Sequence, residues 1–288
     1  FQIPDDAWEH FLSLYETGDM VIVEEKEDCE EFSTQNSSDG ILSFRIPRLV
    51  RDYKRAYDND KGPNTGSMGA YSDTGLLPFV TENEYKQTMD YDQKIFNRLK
   101  GPASRNINLW GLSPIYDAYA ITNKGLKIFE INSRPANPEF INLLPLMEDD
   151  LVDVCLDMIE GKSKPLRLRP LATVGIYLVP EPYPNRDDLQ RKIDLNDAYK
   201  LAERSGGKLF VYPSAVEKRQ DGDYALASRT AYFLGIGDSI EEARQWALRG
   251  ISAVKNPGFR YRSDIATQAS IQRSINHANA LRAARNSA

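Results

Sequence analysis

Residues 4–15 (PDDAWEHFLSLY) place Trp8, Phe11, Leu12 and Tyr15 on one stripe at helical spacing, with Pro4 and Asp5 at the start, and predict an amphipathic helix. Gly18 and Asp19 break it, and Met20–Val23 reads as a short apolar strand ahead of an acidic stretch from Glu24 to Glu31. Gly40 separates that stretch from the alternating run ILSFRIPRLV at 41–50. Thr81 and Glu84 have the spacing of a capping box, in which side chain and backbone satisfy each other's free donors, ahead of a helix closing near Gly101. Leu109–Ala120 and Leu126–Asn132 read as two strands around a turn at Thr122–Gly125. Met147, Leu151, Val154, Cys155 and Met158 recur at helical spacing up to Gly161, which serves as an end cap.

The stretch KSKPLRLRP at 162–170 is rich in proline and basic residues and divides the chain into residues 1–165 and 166–265, followed by a polar helical tail at 266–288. In the second part, Leu171–Val179 and Leu209–Tyr212 read as strands and Tyr224–Gly235 as a hairpin. Ser239 and Glu242 cap a helix that buries Ile240, Ala243, Trp246, Ala247 and Ile251. Strands and helices thus mix along the chain, which predicts an α/β (α+β) fold.

Composition narrows the function. At 288 residues the chain has room for about two domains. Its net charge of −6 argues against a dedicated nucleic-acid binder, whose footprint is a basic face. The longest uncharged apolar run, Leu171–Pro180, falls well short of the roughly 20 residues a membrane helix needs. Two distant cysteines and two histidines leave the chemistry to carboxylates, amides, Arg, Lys and backbone. With no leader-like apolar stretch, the chain reads as cytoplasmic, and as part of a longer protein.

Three segments carry candidate chemistry. In LKIFEINSR (126–134), strand alternation puts Glu130, Asn132 and Arg134 on one face, each roughly 6.6 Å from the next. A carboxylate and an amide oxygen suit Mg²⁺, and a neighbouring Arg suits a phosphoryl group. If the turn is even-lengthed, Leu126 pairs with Ile121 and Glu130 with Asp117; a shared metal would then relieve the repulsion of facing carboxylates. A one-residue change of register would put Asp117 on the other face. The same spacing also fits an ordinary surface Glu on a polar strand edge. In RDYKRAYDNDKGPNTGSMGAYS (51–72), Gly62, Gly66 and Gly69 let backbone approach a ligand, with Lys54, Arg55 and Lys61 just upstream; a solvated turn fits this segment as well. In VIVEEKEDCEEF (21–32), a strand leads into a connector that offers backbone groups to a flat heterocycle and Glu31 to a ribose; a solvated acidic loop is the alternative.

These segments resemble the ATP-grasp superfamily and, within it, the phosphoribosylamine–glycine ligase family. RDYKRAYDNDKGPNTGSMGAYS is similar to that family's DHKR…D…GPNTGGMGAYSP loop, VEEKEDCEEFS to its EEFLxGEE hinge, and FEINSRPANPE with LLPLMEDDL to EFNCRFGDPE and LPLLxSDL. GIGDSIEEARQWALRGISAVKNPGFRYRSDI resembles its carboxy-terminal module, which ends in YRxDI. The likeness runs colinearly over about residues 20–265.

The resemblance implies a partial ATP-grasp lobe with an antiparallel sheet plus a smaller carboxy-terminal α/β module. It implies an ATP- and Mg²⁺-dependent ligase that joins a glycine-like carboxylate to a phosphorylated amine through an acyl phosphate, in purine biosynthesis. Carried over by position, Glu130 and Asn132 hold the metal, and Arg134, Lys54 and Arg55 are the catalytic cations; Asp117, read from the strand pairing, adds a second metal carboxylate in the manner of other ATP-grasp ligases. Glu25 and Glu27 contact adenine through their backbones and Glu31 holds ribose. Asp52, Asn64, Thr65, Gly66 and Asn137 bind substrate. The family's nucleotide-like amino-terminal domain and lid Lys have no counterpart here, so the chain is expected to be inactive alone and to need the missing amino-terminal segment or a second chain. Tyr53 stands for a family His, Ser67 for a Gly, Asn137 for an Asp, and Asp117 for a small residue. The other readings are an ATP-grasp ligase of another carboxylate–amine pair and a non-catalytic, partner-binding subunit.

Overall fold

The computed structural model describes residues 4–18, 20, 22, 24–39, 43–99, 112–162, 164–185 and 191–287. Among them, nine strands form one sheet. Its main path runs β10 (Leu209–Pro213), β13 (Ala231–Gly237), β8 (Ala172–Pro180), β5 (Gly69–Ser72), β2 (Ser43–Asp52), β1 (Cys29–Asp39), β6 (Leu112–Thr122) and β7 (Gly125–Asn132), and β14 (Phe259–Arg260) adds to β8. Every pairing is antiparallel. The stretches on either side of residue 165 join where β5 pairs with β8. One core cluster spans both, from Phe32 and Tyr119 to Val174 and Phe233.

The uninterrupted apolar run of β8 predicts a strand covered on both faces, and all nine of its residues are buried. Helix α6 (Ile240–Ser252) packs on β13 and β8, while α3 (Glu139–Leu143) packs on β2, β5 and β8. The approach of α6 to β13 requires glycine: a Cβ at Gly235 would lie 1.8 Å from the Ala243 carbonyl oxygen. On the α3 side, Asn142 Nδ2 donates to the Ala70 carbonyl (3.0 Å), and the Tyr232 hydroxyl donates to Asn142 Oδ1 (2.5 Å).

Local signals are met where local chemistry suffices. Helix α1 covers Pro4–Tyr15. Helix α2 (Glu82–Leu99) opens on the expected capping box: the Thr81 amide donates to Glu84 Oε2 (2.9 Å) and the Glu84 amide to Thr81 Oγ1 (3.3 Å). The close near Gly101 lies outside the described residues. Ser239 Oγ accepts from the Glu242 amide at the start of α6 (3.2 Å). Helix α4 covers Leu151–Ile159, and Gly161 follows at φ +67°.

Other expectations are corrected. Met20 and Ile22 lie outside any strand and are exposed, with Val21 and Val23 outside the described residues. Tyr224–Gly235 is no hairpin, because its two strands enter different sheets. The turn lies earlier, between β11 (Val216–Arg219) and β12 (Gly222–Ala225), which pairs onward with β9 (Arg191–Ile193). Residues beyond Ala266 form α7 (Gln268–Asn286), which buries Ala278 and Leu281 and packs on β1 and β6. Helix α5 (Asn196–Arg204) flanks β10. Among the described residues no helix is long and apolar enough to cross a membrane.

Candidate functional site

Because side chains alternate along a strand, β1, β2 and β6 each send one set of residues to the face that carries the site. Glu31 and Ser33 of β1, Val50 and Asp52 of β2, and Tyr116 and Ala118 of β6 share a narrow recess there with Lys54 and Glu139. The recess adjoins a cavity of about 160 Å³ lined by Asp52, Lys54, Thr65, Gly66, Tyr116, Glu130, Arg134, Ala136, Asn137 and Glu139. Four separate stretches of sequence therefore converge on one cleft, and seven of the expected site residues line the cavity: Asp52, Lys54, Thr65, Gly66, Glu130, Arg134 and Asn137. Glu31 lies in the recess and is joined to Lys54 Nζ at 2.9 Å.

The remaining expected residues stand elsewhere. Arg55 is exposed and donates from Nη1 to the Gly62 carbonyl (2.8 Å). Asn64 is exposed on β4 (Lys61–Asn64). Asn132 does not line the cavity, and its buried Nδ2 has no hydrogen-bond partner among the described residues. Glu25 and Glu27 precede β1, and their carboxylates pair with Lys124 and Lys127 of the β6–β7 hairpin. The Lys127 hydrogen bond holds the Glu27 carboxyl below its ordinary range.

Asp117 is a correction. Ile121 pairs with Leu126 as expected, but a bulge between Ala118 and Tyr119 shifts the ladder by one residue, so Glu130 faces Ala118 and Asp117 faces Ile131. One slipped residue moves a side chain through the sheet. Asp117 is fully buried on the opposite face, where Asn36 Nδ2 donates to its Oδ2 at 2.7 Å. It therefore cannot share a metal with Glu130. Among the described residues no three His, Cys, Asp or Glu side chains cluster as a metal site.

The electrostatics of the cleft are set by burial. Asp52 Oδ1 is buried with no hydrogen-bond partner among the described residues. Burial raises the Asp52 carboxyl above its ordinary range against a hydrogen bond from Ser67. Glu139 is 3% exposed, and burial together with the neighbouring Asp52 pushes it up to about 8. Burial works against the charge of Lys54, but Glu31, Asp52 and Glu130 more than offset it and hold the ammonium above its usual range. The chain thus sets an ammonium and a guanidinium beside two buried carboxyl groups in one cleft.

Glu139, Tyr116, Tyr177 and Arg229 escaped the sequence reading. The Tyr177 hydroxyl donates to Asn137 Oδ1 (2.8 Å), and Arg229 donates to the Gly66 carbonyl while covering the Tyr177 ring at 4.6 Å. Glu139 follows Pro138 and opens α3, an ordinary place for an exposed acid; only the fold buries it.

Mg²⁺ is held by hard oxygen ligands and keeps several waters, so one or two protein ligands suffice. Glu130 fits, since it lines the cavity and brings a carboxylate within the electrostatic reach of Lys54. Asn132 lies one pleat further along the same strand.

Residues 7–140 match the family described as phosphoribosylglycinamide synthetase, ATP-grasp (A) domain. Phosphoribosylamine–glycine ligase of Pyrococcus abyssi is 33% identical over 278 residues, covering 96% of this chain and 60% of the relative. The crystal structure of phosphoribosylamine–glycine ligase from Thermotoga maritima superposes with a TM-score of 0.66 at 24% identity, over 84% of this chain and 57% of that one. The biotin carboxylase domain of Hydrogenobacter thermophilus 2-oxoglutarate carboxylase, in complex with MgADP, ADP and bicarbonate, has a TM-score of 0.59 at 12% identity, over 96% of this chain and 54% of that one. The chain spans about 60% of the length of the curated relatives it matches. Over nearly its whole length the chain is thus similar to phosphoribosylamine–glycine ligases, and over residues 7–140 to the ATP-grasp (A) domain of phosphoribosylglycinamide synthetase.

Proposed function

We propose that this chain is the catalytic portion of a cytoplasmic ATP-grasp ligase that joins the carboxylate of glycine to the amine of phosphoribosylamine, with residues 1–165 as the ATP-grasp lobe and 166–265 as a carboxy-terminal module. One observation carries the reading: Lys54, Glu130, Arg134, Asp52 and Asn137, drawn from separate elements, line a single cavity beside the Glu31 recess. The similarity to phosphoribosylamine–glycine ligases over nearly the whole chain supports the substrate pair.

The roles follow from charge and position. Arg134 and Lys54 stabilise negative charge on a carboxylate and on a phosphoryl group being transferred to it. Backbone at Thr65 and Gly66 closes the cavity on the substrate side. Asp52 and Glu139 present buried oxygens to an amine, and burial holds both carboxyls above their ordinary range. Glu31 reaches a ribose, with the backbone at Glu25 and Glu27 on the adenine side. Glu130, with Asn132 one pleat along the same strand, would hold Mg²⁺, which when bound would neutralise the nucleotide phosphates. No side chain acts as nucleophile, because positioning and electrostatics supply the rate.

The test supplies the chain with a polypeptide corresponding to the remaining length of its relatives and follows ATP-dependent phosphate release with glycine and phosphoribosylamine. Turnover that Glu130→Ala lowers by about 100-fold or more is expected, in line with loss of a charge-stabilising group. No nucleotide binding and no phosphate release under those conditions would sink the ligase reading in favour of a partner-binding subunit. A second reading, another amine substrate, draws on Asn137, which is neutral and bonded to Tyr177 where the family carries an acid. Turnover with a different amino acid in place of glycine would select it.

A further inference from the structure

The YRSDI stretch at 261–265 has no part in the cleft, yet Arg262 is fully buried, an unusual place for a guanidinium. Its Nε and Nη2 form a fork on Asp264 Oδ1 and Oδ2, both at 2.8 Å. Nη1 reaches Asp60 Oδ1 (2.9 Å) and the Arg55 carbonyl (3.0 Å), and the guanidinium stands 4.9 Å from the centre of the Tyr53 ring.

Its neighbours grip the same arm of chain. Arg260 donates to the Ala56 carbonyl (2.8 Å) and covers the Tyr57 ring at 4.6 Å. The Ser263 amide donates to Asp58 Oδ1 (2.9 Å), and the Asn59 amide donates to Asp264 Oδ2 (2.9 Å). Each residue from Arg55 to Asp60 is therefore held by the 260–264 segment. Asn59 and Asp60 sit at φ 58° and 52°, a left-handed pair of non-glycine residues that persists only where its surroundings over-determine it.

The gripped arm is the two-stranded excursion formed by β3 (Arg55–Tyr57) and β4, with Arg55 paired to Asn64 and Tyr57 to Lys61. Its base is Lys54 on one side and Thr65 and Gly66 on the other, all three lining the cavity, and Thr65 donates from its amide to the Lys54 carbonyl at 2.8 Å. Among the described residues the arm meets the cleft at its base and the 260–264 segment along β3 and its tip.

We propose that Arg260–Asp264 is a positioning clamp that sets the cavity-side placement of Lys54, Thr65 and Gly66, and through it the affinity for the carboxylate or amine co-substrate. The second clause rests on the ligase reading above; the first does not. Arg262 touches no substrate and acts through the arm.

The test uses the full-length protein with Asp60→Asn, which loosens one exposed partner of Arg262, and Arg262→Lys, which keeps the charge and loses the fork. Amide hydrogen exchange needs no activity. Exchange across 55–66 is expected to quicken by about tenfold while β8 and β13 keep their protection, as for local opening of one unit. Unchanged exchange across 55–66 in both variants, or quickening shared equally by β8 and β13, would overturn the clamp. In the active assembly, KM for the co-substrate is expected to rise by about tenfold with KM for ATP within twofold, since small misplacement costs rate and affinity steeply. A parallel rise of both KM values, or a fall in kcat alone, would overturn the co-substrate role. If the parent assembly shows no ligase turnover, the ligase reading and that role fall together, and exchange alone decides the clamp.

Discussion

Strands β8 and β7 belong to the same sheet and live in opposite environments. All nine residues of β8 are buried, under α3 on one face and α6 on the other. On β7, Ile128, Phe129 and Ile131 are 37%, 37% and 48% exposed, and Glu130 between them is exposed as well. In β8 the identity of each residue is fixed by packing density, where a single added atom is felt. On β7 the packing constraint is weak, so the residues that matter there matter for charge and for what they face across the cleft. Glu130 thus stands where the fold leaves sequence free to serve chemistry, beside cavity walls such as Tyr116 and Glu139 that are buried.

The contrast can be broken first where packing is tightest. Gly235→Ala places a methyl 1.8 Å from the Ala243 carbonyl oxygen and 2.8 Å from the Ala247 amide, both helix backbone that cannot step aside. The expected loss is about 4 kcal/mol or more, among the largest for a point change, read as the shift in urea midpoint. A loss below about 1 kcal/mol would mean that α6 rides loosely on β13.

Between the extremes lies Glu139, buried in the wall of the cleft. Its folded-state value, about 8, stands above the ordinary 4.5, so the folded protein holds this proton more tightly than the unfolded chain. The associated stability is fully present below about pH 4.5 and is lost as pH rises to about 8. Thermal melts from pH 5 to 8.5 should therefore decline more steeply for the parent than for Glu139→Gln, which keeps the shape without the titration. Parallel curves would mean that Glu139 is ionised in the folded cleft across that range.

The smallest effect is expected on β7. Ile131→Ser, at a half-exposed position, should change stability by no more than about 0.5 kcal/mol, as for surface changes away from packed features. A loss several times larger would show that β7 is as tightly packed as β8 and dissolve the contrast.

What the sequence made legible follows the same division. Capping at Thr81 and Ser239, and the strand character of β8, were readable because each depends on residues a few positions apart. The pairing of Ile121 with Leu126 was readable from the turn, but the shift at Ala118–Tyr119 was not, since the extra residue, Phe129 of β7, leaves no mark in the residue types or their spacing. That single residue separates Glu130 from Asp117. Lys54, Glu130 and Arg134 were marked by residue type and spacing and Asp52 by the family resemblance, and all four line the cavity. Glu139 and Tyr116 were not, because an acid at a helix start and a tyrosine in a strand acquire chemical meaning only once burial and the neighbouring carboxyl are known.

Strand β7 also closes the sheet on that side, and among the described residues nothing pairs with its outer row of amides and carbonyls. A border of unmatched hydrogen-bonding groups interleaved with Ile and Phe is sticky toward any extended peptide, another molecule of the same protein included. Lys124 and Lys127 place positive charge at one end of that border, but Glu25 and Glu27 neutralise it. Concentrated solutions should therefore associate through this margin, most readily in high salt, where the chain's net negative charge no longer keeps molecules apart.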